Sequence, residues 1–284
     1  MLVAAVVISS SGVWVKLANL SASAIGFYRM LIGGVILLLI CLLRGQPLIR
    51  SFSYTKWLVL GAVFFAADLW FWHQSIQYVG PGLATVLGNV QVFFMTLFGY
   101  LFLKEVIGFK FFLGLTFTFA GLFLLVGMEW DGFSAAYRLG VYYGLATALC
   151  YTGFMLCLRH TQSQANTLSP MANLGVLSII CAMVLAVVLK LEGGTFQVPD
   201  WQSWLSVILL GVFCQVIGWA MITKTMPLLP TSIVGLLLLL QPAMAMIWDV
   251  LFFSRPTGMM DVIGLVLVLS GIYLATLKRR TKRA

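Results

Sequence analysis

Ten apolar stretches, each long enough to cross a lipid bilayer as a helix, account for most of the chain. About 20 helical residues span the hydrocarbon core of a bilayer, which is roughly 30 Å thick. Only 9% of the 284 residues are charged, against roughly 25% in a soluble domain. A soluble fold could not keep 62% hydrophobic residues away from water. The sequence therefore predicts an all-α membrane protein with ten transmembrane helices. The predicted spans are 2–18, 22–43, 57–79, 81–102, 109–127, 139–159, 169–190, 202–226, 231–252 and 260–278.

The boundaries of these spans carry residues that interrupt helices, as at Gly80-Pro81 and Asp131-Gly132. The connections between spans are short, so no soluble domain is expected. No basic residue precedes the first stretch, and a second stretch follows almost at once. These features favour a membrane span over a cleaved signal peptide.

The basic residues are distributed unequally between the two sides of the predicted bundle. With the N-terminus in the cytoplasm, eleven Lys and Arg residues fall in cytoplasmic loops and the C-terminal tail, and three fall outside. The cytoplasmic ones are Arg44, Arg50, Lys56, Lys104, Lys110, Arg159, Lys278, Arg279, Arg280, Lys282 and Arg283. This bias predicts a bacterial-type inner (plasma) membrane protein with both termini in the cytoplasm. The formal charge of +9 then reflects topology, so the expected partners are the bilayer and a small-molecule substrate, not nucleic acid. A homodimer is left open.

The chain repeats itself at an offset of 150 residues. Residues 61–126 align without a gap to the later half and share ten identities, among them four glycine pairs and Gln91 with Gln241. We therefore divide the chain into a first five-helix repeat at 1–127, an external linker at 128–138, a second five-helix repeat at 139–278 and a basic tail at 279–284. Because five spans are an odd number, the halves must cross the membrane in opposite directions. Inverted repeats are typical of secondary transporters, whose substrate site lies near the midplane.

Several short motifs resemble those of a known transporter group. Trp14-Val15-Lys16, followed by Phe27-Tyr28-Arg29-Met30-Leu31, resembles the opening of EamA-type members of the drug/metabolite transporter superfamily. Leu101-Phe102-Leu103-Lys104-Glu105 is similar to the family's Leu-Gly-Glu signature, and Gln241-Pro242 to its proline-containing ninth span. The resemblance covers nearly the whole chain, and the aromatic-rich spans most resemble the amino-acid-exporter branch.

This resemblance implies ten helices in two inverted five-helix halves and export of small metabolites through a central cavity. Two positions depart from the family pattern. Ser254-Arg255 stands where the second half usually keeps Gly-Glu, and Val92 stands where proline is common in the first half. These departures concern gating and leave the expected fold unchanged.

Polar side chains within the spans are candidates for a substrate site, because a polar group in hydrocarbon needs a partner or a cavity. In the third span, Trp70, His73 and Gln77 share one helical face with Ala66, within about 60° of one another. In the eighth span, Gln215 and Trp219 share a face with Gly211. Both faces could line a cavity or hold neighbouring helices together. His73 could also carry a proton, or be only hydrogen-bonded.

Further candidates lie in other spans. In a continuous helix Asn89 and Gln91 point about 160° apart, so only one of them can face a given space. Pro242 should kink the ninth span beside Gln241 and free the carbonyl of Leu238. Three aromatic side chains serve equally well as cavity wall or as lipid-facing packing, namely Trp14, Tyr151 and Trp248.

Five charged residues are candidates for burial. Arg29 and Asp68 lie at similar depths, so they could form a buried pair that either fixes helix register or binds substrate. Asp68 lies roughly opposite the stripe that holds His73, which argues against a cavity position for it. Lys16, Lys224 and Asp249 lie near span ends, where the lysines are expected to extend their amines toward the interface.

The sequence also limits the function classes. There is no glycine-rich phosphate loop for ATP-driven transport. The two histidines are far apart and the five cysteines all lie in apolar stretches, so we expect no metal site, no cofactor and no disulfides. No cluster of His, Asp or Glu at one interface suggests an enzyme acting on lipid. We expect a secondary transporter that exports small metabolites, amino acids above all, by alternating access. The alternatives are a sugar or nucleotide-sugar carrier and a scaffold or channel.

Overall fold

The computed structural model of the chain describes residues 2–103, 108–126, 134–162, 164, 168–221 and 240–276. Over these ranges every regular element is helical, which confirms the predicted all-α class. The helices are α1 (Leu2–Ser9), α2 (Ser11–Leu17), α3 (Ala22–Leu43), α4 (Phe52–Val79), α5 (Pro81–Gly88), α6 (Gln91–Leu103), α7 (Phe109–Val126), α8 (Ala135–Gln162), α9 (Pro170–Leu191), α10 (Trp201–Leu209), α11 (Leu240–Phe253) and α12 (Met259–Thr276). A π-helical segment, Leu210–Gly218, continues α10.

Among the described residues, six apolar helical segments are long enough to cross a membrane, and four further apolar segments are shorter. All of them coincide with predicted spans, and the second predicted span matches α3 residue for residue. Two predicted starts are several residues too late. The helix α4 begins at Phe52 instead of residue 57, and α8 begins at Ala135, so the last residues of the expected linker at 128–138 are helical. Residues 128–133 of that linker lie outside the described ranges. The first half of the predicted ninth span, Lys224 and the basic tail lie outside them as well.

Side-chain caps set where several of these helices begin. Ser21, Ser51 and Ser169 each accept a hydrogen bond from the backbone N–H three residues ahead, at the start of α3, α4 and α9. Asp200 caps α10 in the same way through Ser203 N. Such caps satisfy N–H groups that have no partner within the helix.

The first predicted span is broken, where the sequence analysis assumed one straight helix. Ser10 separates α1 from α2. The hydroxyls of Ser9, Ser10 and Ser11 each donate to the carbonyl three residues earlier, at 2.6–2.7 Å. Such back-bonding competes with the helical ladder and bends helices. The indoles of Trp248 and Trp14 donate to the Ser9 and Ser10 hydroxyls.

The fourth predicted span is also broken, between α5 and α6. The interruption falls at Asn89 and Val90, where the Asn89 amide donates to the carbonyl of Thr85 at 2.8 Å. An asparagine that bonds its own backbone offers the chain an alternative to the helix. The broken first and fourth spans both reach the middle of the bundle.

The eighth span widens into the π-helical segment where it meets α3. A Cβ on Gly33 of α3 would lie 2.5 Å from Cγ of Gln215, and a Cβ on Gly211 would lie 2.7 Å from Cβ of Ile32. The two glycines therefore let these helices approach more closely than any side chain would allow. Single-turn π segments occur frequently at functional sites.

The helices α7 and α12, which are repeat mates, cross through paired glycines. A Cβ on Gly121 would lie 2.5 Å from the carbonyl oxygen of Gly264, and a Cβ on Gly271 would lie 2.5 Å from that of Gly114. The offset of 150 residues converts the first of these contacts into the second. Because residue numbers rise along α7 as they fall along α12, the two helices run antiparallel.

The other helix contacts follow the same symmetry. The helix α4 packs along α9, and its repeat mate, α10 with the π-helical segment, packs along α3, the mate of α9. Similarly α4 packs along α8, while the π-helical segment packs along α1. The pairs α3–α9 and α7–α12 each join a helix to its own mate. The contact between α5 and α11 joins the predicted fourth span to the predicted ninth, which are repeat mates as whole spans. The described helices thus form one bundle of two related halves.

Candidate functional site

A cavity of about 130 Å³ lies at the centre of the bundle, where the two broken spans meet. Both repeats contribute to its wall. The first repeat supplies Ile8, Ser9, Ser11, Arg29, Phe65, Asp68, Leu69, Trp72, Thr85, Gly88, Asn89 and Gln91, and the second supplies Thr147, Tyr151, Trp219 and Gln241.

Two buried charges face this cavity. Arg29 of α3 is 4% exposed and Asp68 of α4 is 5% exposed, and both line the wall. The expected direct pair is not formed, because no ion pair within 4.0 Å joins them. Nε and Nη1 of Arg29 have no hydrogen-bond partner among the described residues, although the guanidinium carbon lies 5.9 Å from the centroid of the Trp72 ring. The cavity therefore holds a guanidinium and a carboxyl group that form no ion pair within 4.0 Å.

Amide and hydroxyl groups surround these charges. Asn89 and Gln91 both line the cavity, which corrects the expectation that only one of them could face a common space. That expectation assumed a continuous helix, and the break between α5 and α6 removes the assumption. Oε1 of Gln91 has no partner among the described residues, whereas the Thr85 hydroxyl donates to the carbonyl of Pro81 at 2.7 Å.

Aromatic rings form the remaining wall. Phe65 of α4 stacks on Phe154 of α8 with ring centroids 4.4 Å apart and meets Trp219 edge-on at 6.5 Å. Tyr151 and Trp72 also line the cavity. These rings give an apolar surface beside the charged and amide groups, as small-molecule sites commonly have.

The polar stripe of the third span does not line this cavity, which corrects the predicted face. Trp70 donates to Oε1 of Glu192 at 2.8 Å. His73 is fully buried, with Nδ1 3.1 Å from the carbonyl oxygen of Ala22, and the amide of Gln77 is 3.5 Å from the Val15 carbonyl. The cavity takes the opposite face of α4, so Asp68 faces the cavity and the stripe packs against neighbouring helices. Substrate contact by these three residues stays a prediction.

Two further candidates lie away from the cavity wall. The Gln215 amide is fully buried and donates to the Ser178 hydroxyl at 3.2 Å, between the π-helical segment and α9. Trp14 donates to Ser10 at 3.2 Å and supports the broken helix. Pro242 is buried beside Gln241, and the Leu238 carbonyl that it was expected to free lies outside the described ranges.

Sequence reasoning missed several wall residues. Ser9 and Ser11 belong to a run of three serines inside an apolar span, a polar cluster that could have marked the site. Phe65 and Trp72 lie three and four residues from Asp68 and therefore share its helical face. Choosing the face of Asp68 instead of that of His73 would have found them. Within the described ranges, no three His, Cys, Asp or Glu side chains come together to hold a metal ion.

Polar contacts join the two halves at the end of the bundle that the charge bias predicts to be external, here called the outer end. The Glu192 carboxylate accepts from Ser23 and Trp70, and Asp200 accepts from Asn19 at 3.0 Å. The bond from Asn19, with the cap contact from Ser203, lowers the pKa of the Asp200 carboxyl from its ordinary value. Both bonds stabilise the charged form.

Of the charged candidates near the outer end, Lys16 differs from expectation and Asp249 is buried as expected. The amine of Lys16 does not extend to the interface but donates to the carbonyl of Gln77 at 2.9 Å. Asp249 is 3% exposed and accepts from the backbone N–H of Gly82 at 3.1 Å. These groups therefore bind the ends of neighbouring helices.

A bundle of apolar helices, built from two related halves around a central polar cavity, defines a multi-pass membrane protein. Residues 1–127 and 138–277 each match the EamA-like transporter family. The chain therefore belongs to that family, within the drug/metabolite transporter superfamily, and functions as a transporter.

Individual relatives agree with this assignment. An uncharacterized transporter of Haemophilus influenzae is 27% identical over 156 residues, which cover 52% of this chain and 51% of that protein. The uncharacterized transporters YxxF and YvbV of Bacillus subtilis are each 22% identical, over 99% and 90% of this chain and 90% and 83% of their own lengths. One crystal structure superimposes with a TM-score of 0.69 at 18% identity, covering 96% of this chain and 94% of the other, and it supports the fold.

Proposed function

We propose that this transporter exports amino acids and similar small zwitterions by alternating access around the central cavity. Ten transmembrane helices form two inverted five-helix repeats in a bacterial-type inner membrane, with both termini in the cytoplasm. The observation that carries the proposal is the presence of Arg29 and Asp68 in one cavity without a direct ion pair.

The two charges match the two ends of an amino acid. A substrate carboxylate would accept charge-assisted hydrogen bonds from the Arg29 guanidinium, which binds carboxylates in a planar, bidentate geometry. The substrate ammonium would donate to the Asp68 carboxylate. Each buried charge costs several kcal/mol when it is not neutralised, so binding a zwitterion between them would recover part of that cost. The aromatic wall of Phe65, Trp72 and Tyr151 would hold the substrate side chain.

The size of the cavity favours a small substrate. Its volume of about 130 Å³ is well below the roughly 300–1,000 Å³ of sites that bind drug-sized molecules. A nucleotide sugar, the alternative within transporters, would need a larger cavity with several basic groups. Arg29 is the basic residue that lines the described wall, which argues for the amino acid.

The helix geometry supports alternating access. The antiparallel crossing of α7 and α12 is what an inverted repeat requires. The breaks at Ser10 and Asn89 lie at the cavity, as in transporters whose interrupted helices bind substrate near the midplane. Binding would then favour conformations in which the halves close around the substrate.

Transport in proteoliposomes tests the proposal. Vesicles loaded with labelled amino acids, one class at a time, should lose label faster than protein-free vesicles for at least one class. Arg29→Met and Asp68→Asn should each slow that efflux by at least tenfold, because each loses a charge-assisted bond worth about 1.5–3 kcal/mol. The matched control is Arg44→Met, since Arg44 is an exposed arginine at the far end of α3. If no amino acid leaves faster than from protein-free vesicles, the substrate class is wrong.

A further inference from the structure

A second polar cluster lies at the outer end of the bundle, away from the cavity. The buried carboxylate of Asp249, on α11 of the second repeat, reaches the loop between α4 and α5 of the first. Its Oδ2 accepts from the backbone N–H of Gly82 at 3.1 Å and lies 3.4 Å from Nη1 of Arg255. The same Nη1 donates to the carbonyl of Val79 at 3.1 Å. One carboxylate and one guanidinium therefore join both ends of this loop to the second repeat.

The loop is shaped to admit the carboxylate. Gly80 has φ +84°, a conformation that residues with a side chain rarely adopt. A Cβ on Gly80 would lie 2.7 Å from Oδ2 of Asp249, and a Cβ on Gly82 would lie 2.5 Å from Sδ of Met246 and 3.0 Å from that Oδ2. The close approach of α5 and α11 thus depends on two positions without side chains.

Arg255 is the cationic partner of Asp249 in this cluster. This residue stands where the resemblance to the EamA pattern leads one to expect a glutamate, and a glutamate would repel Asp249. The arginine instead neutralises the buried carboxylate and caps the end of α4 through Val79. The reversal of charge at this position therefore matches the presence of Asp249.

The location of the cluster indicates its consequence for transport. The contacts join α5 of the first repeat to α11 of the second. Both helices lead from the outer end to the cavity, where α5 carries Thr85 and α11 carries Gln241. A substrate cannot leave between these helices while their ends are joined. The bonds are few and polar, so they can form and break as the halves move.

We propose that Asp249 and Arg255 form a latch that holds the outer end of the transport path closed. The proposal rests on the alternating access proposed above but not on the identity of the substrate. Asp249 acts as a positioning residue, since it controls the separation of α5 and α11 without touching the cavity. Release of the Gly82 N–H and of Val79 opens the outer end.

Cysteine accessibility tests the latch without using any substrate. The reporter is Thr85→Cys, and the probe is a charged methanethiosulfonate that does not cross lipid, applied to right-side-out and inside-out vesicles. The native cysteines are buried or half-buried, and the chain without Thr85→Cys gives their background. Asp249→Asn should raise labelling from the outer side on the order of tenfold, which corresponds to the loss of one charge-assisted hydrogen bond. Labelling from the opposite side should fall.

Two other substitutions complete the experiment. Asp261→Asn is the matched control. The Asp261 carboxylate lies 4.0 Å from the Arg255 guanidinium but makes no contact with Gly82. Labelling of this variant should stay at the parent value. Gly82→Ala separates the helices by steric contact with unchanged charge and should reproduce the effect of Asp249→Asn. If one of the two latch variants fails to fold, the other decides the question.

The outcomes separate the latch from a structural role and from the proposed substrate. Equal increases from both sides would show general loosening and overturn the latch, and so would unchanged labelling in folded variants. Opposite changes on the two sides would support the latch even if no amino acid were transported. Amino-acid efflux with unchanged labelling would keep the proposed function and remove the latch.

Discussion

Neutralising both cavity charges should make the substrate-free protein more stable while abolishing its response to substrate. The change is the double variant Arg29→Met/Asp68→Asn. No ion pair within 4.0 Å joins these side chains, so their mutual attraction is below about 4 kcal/mol at an effective dielectric constant of roughly 20. Removing each ion from water costs several kcal/mol. The two costs together exceed the attraction.

The size of the effect follows from that imbalance. Replacing a buried ion pair with uncharged residues can raise the free energy of unfolding by about 1–4 kcal/mol. Losing the contact between Arg29 and Trp72 lowers it by about 0.5–2 kcal/mol. We expect a net gain of about 1–2 kcal/mol. In chains of 150–250 residues 1 kcal/mol shifts Tm by roughly 2–4 °C, so the apparent Tm should rise by several degrees.

Thermal unfolding of the purified protein in detergent measures both parts of this prediction. An amino acid at a hundred times its Kd should stabilise the native chain by about 2.7 kcal/mol and leave the double variant unchanged. The single variants complete a double-mutant cycle, whose coupling energy reports any direct pairing. A double variant that is folded but clearly less stable than the native chain would refute the reasoning. Arg29 and Asp68 would then be a structural pair that fixes helix register.

Three other perturbations have defined outcomes. Gly121→Ala places a Cβ 2.5 Å from the carbonyl oxygen of Gly264 and should lower the free energy of unfolding by about 1–3 kcal/mol, measured as a lower Tm. The control is Gly108→Ala, whose Cβ meets nothing within 4 Å and should leave Tm unchanged. Trp72→Leu removes the ring beside Arg29 and should raise the KM for efflux several-fold with little change in expression or Tm. Asp200 has a lowered pKa, so its contribution to stability is present above its ordinary pKa of 3.8 and is lost as pH falls through the lower folded value. The native Tm should therefore fall more steeply than that of Asp200→Asn when the pH is brought below 3.8, and parallel curves would contradict this.

The fold was largely predictable because its main signals are long and redundant. Apolar length alone located the segments now seen as helices, and the paired glycines at an offset of 150 residues revealed the repeat before any contact was known. The repeat in the glycines has a physical cause, because the backbones of α7 and α12 touch at these positions. They are Gly114, Gly121, Gly264 and Gly271. The breaks at Ser10 and Asn89 were not predicted, because apolar length does not report how a few hydroxyl and amide groups compete with the helical ladder.

The cavity was predicted only in part, because its wall depends on helix rotation. Arg29 and Asp68 were named from polarity and depth, and Tyr151 as an aromatic candidate. The structure places all three at the cavity, although the helical spacing had argued against that position for Asp68. The stripe with His73 was the more polar face of its helix, yet it packs against α3 and its neighbours. Periodicity shows which residues share a face, and only packing decides which face meets the cavity.

The glycine crossing of α7 and α12 has the form of an isologous interface, in which the same surface meets itself about a twofold axis. Two separate polypeptides with this surface would associate as a symmetric dimer. Because both helices belong to one chain, the surfaces of α7 and α12 are encoded separately and can mutate independently. A substitution at Gly121 alters one of two equivalent backbone contacts and leaves its mate at Gly271 intact, whereas in a dimer of identical subunits it would alter both. The fused arrangement thus lets one half acquire Arg29 and Asp68 without imposing the same charges on the other.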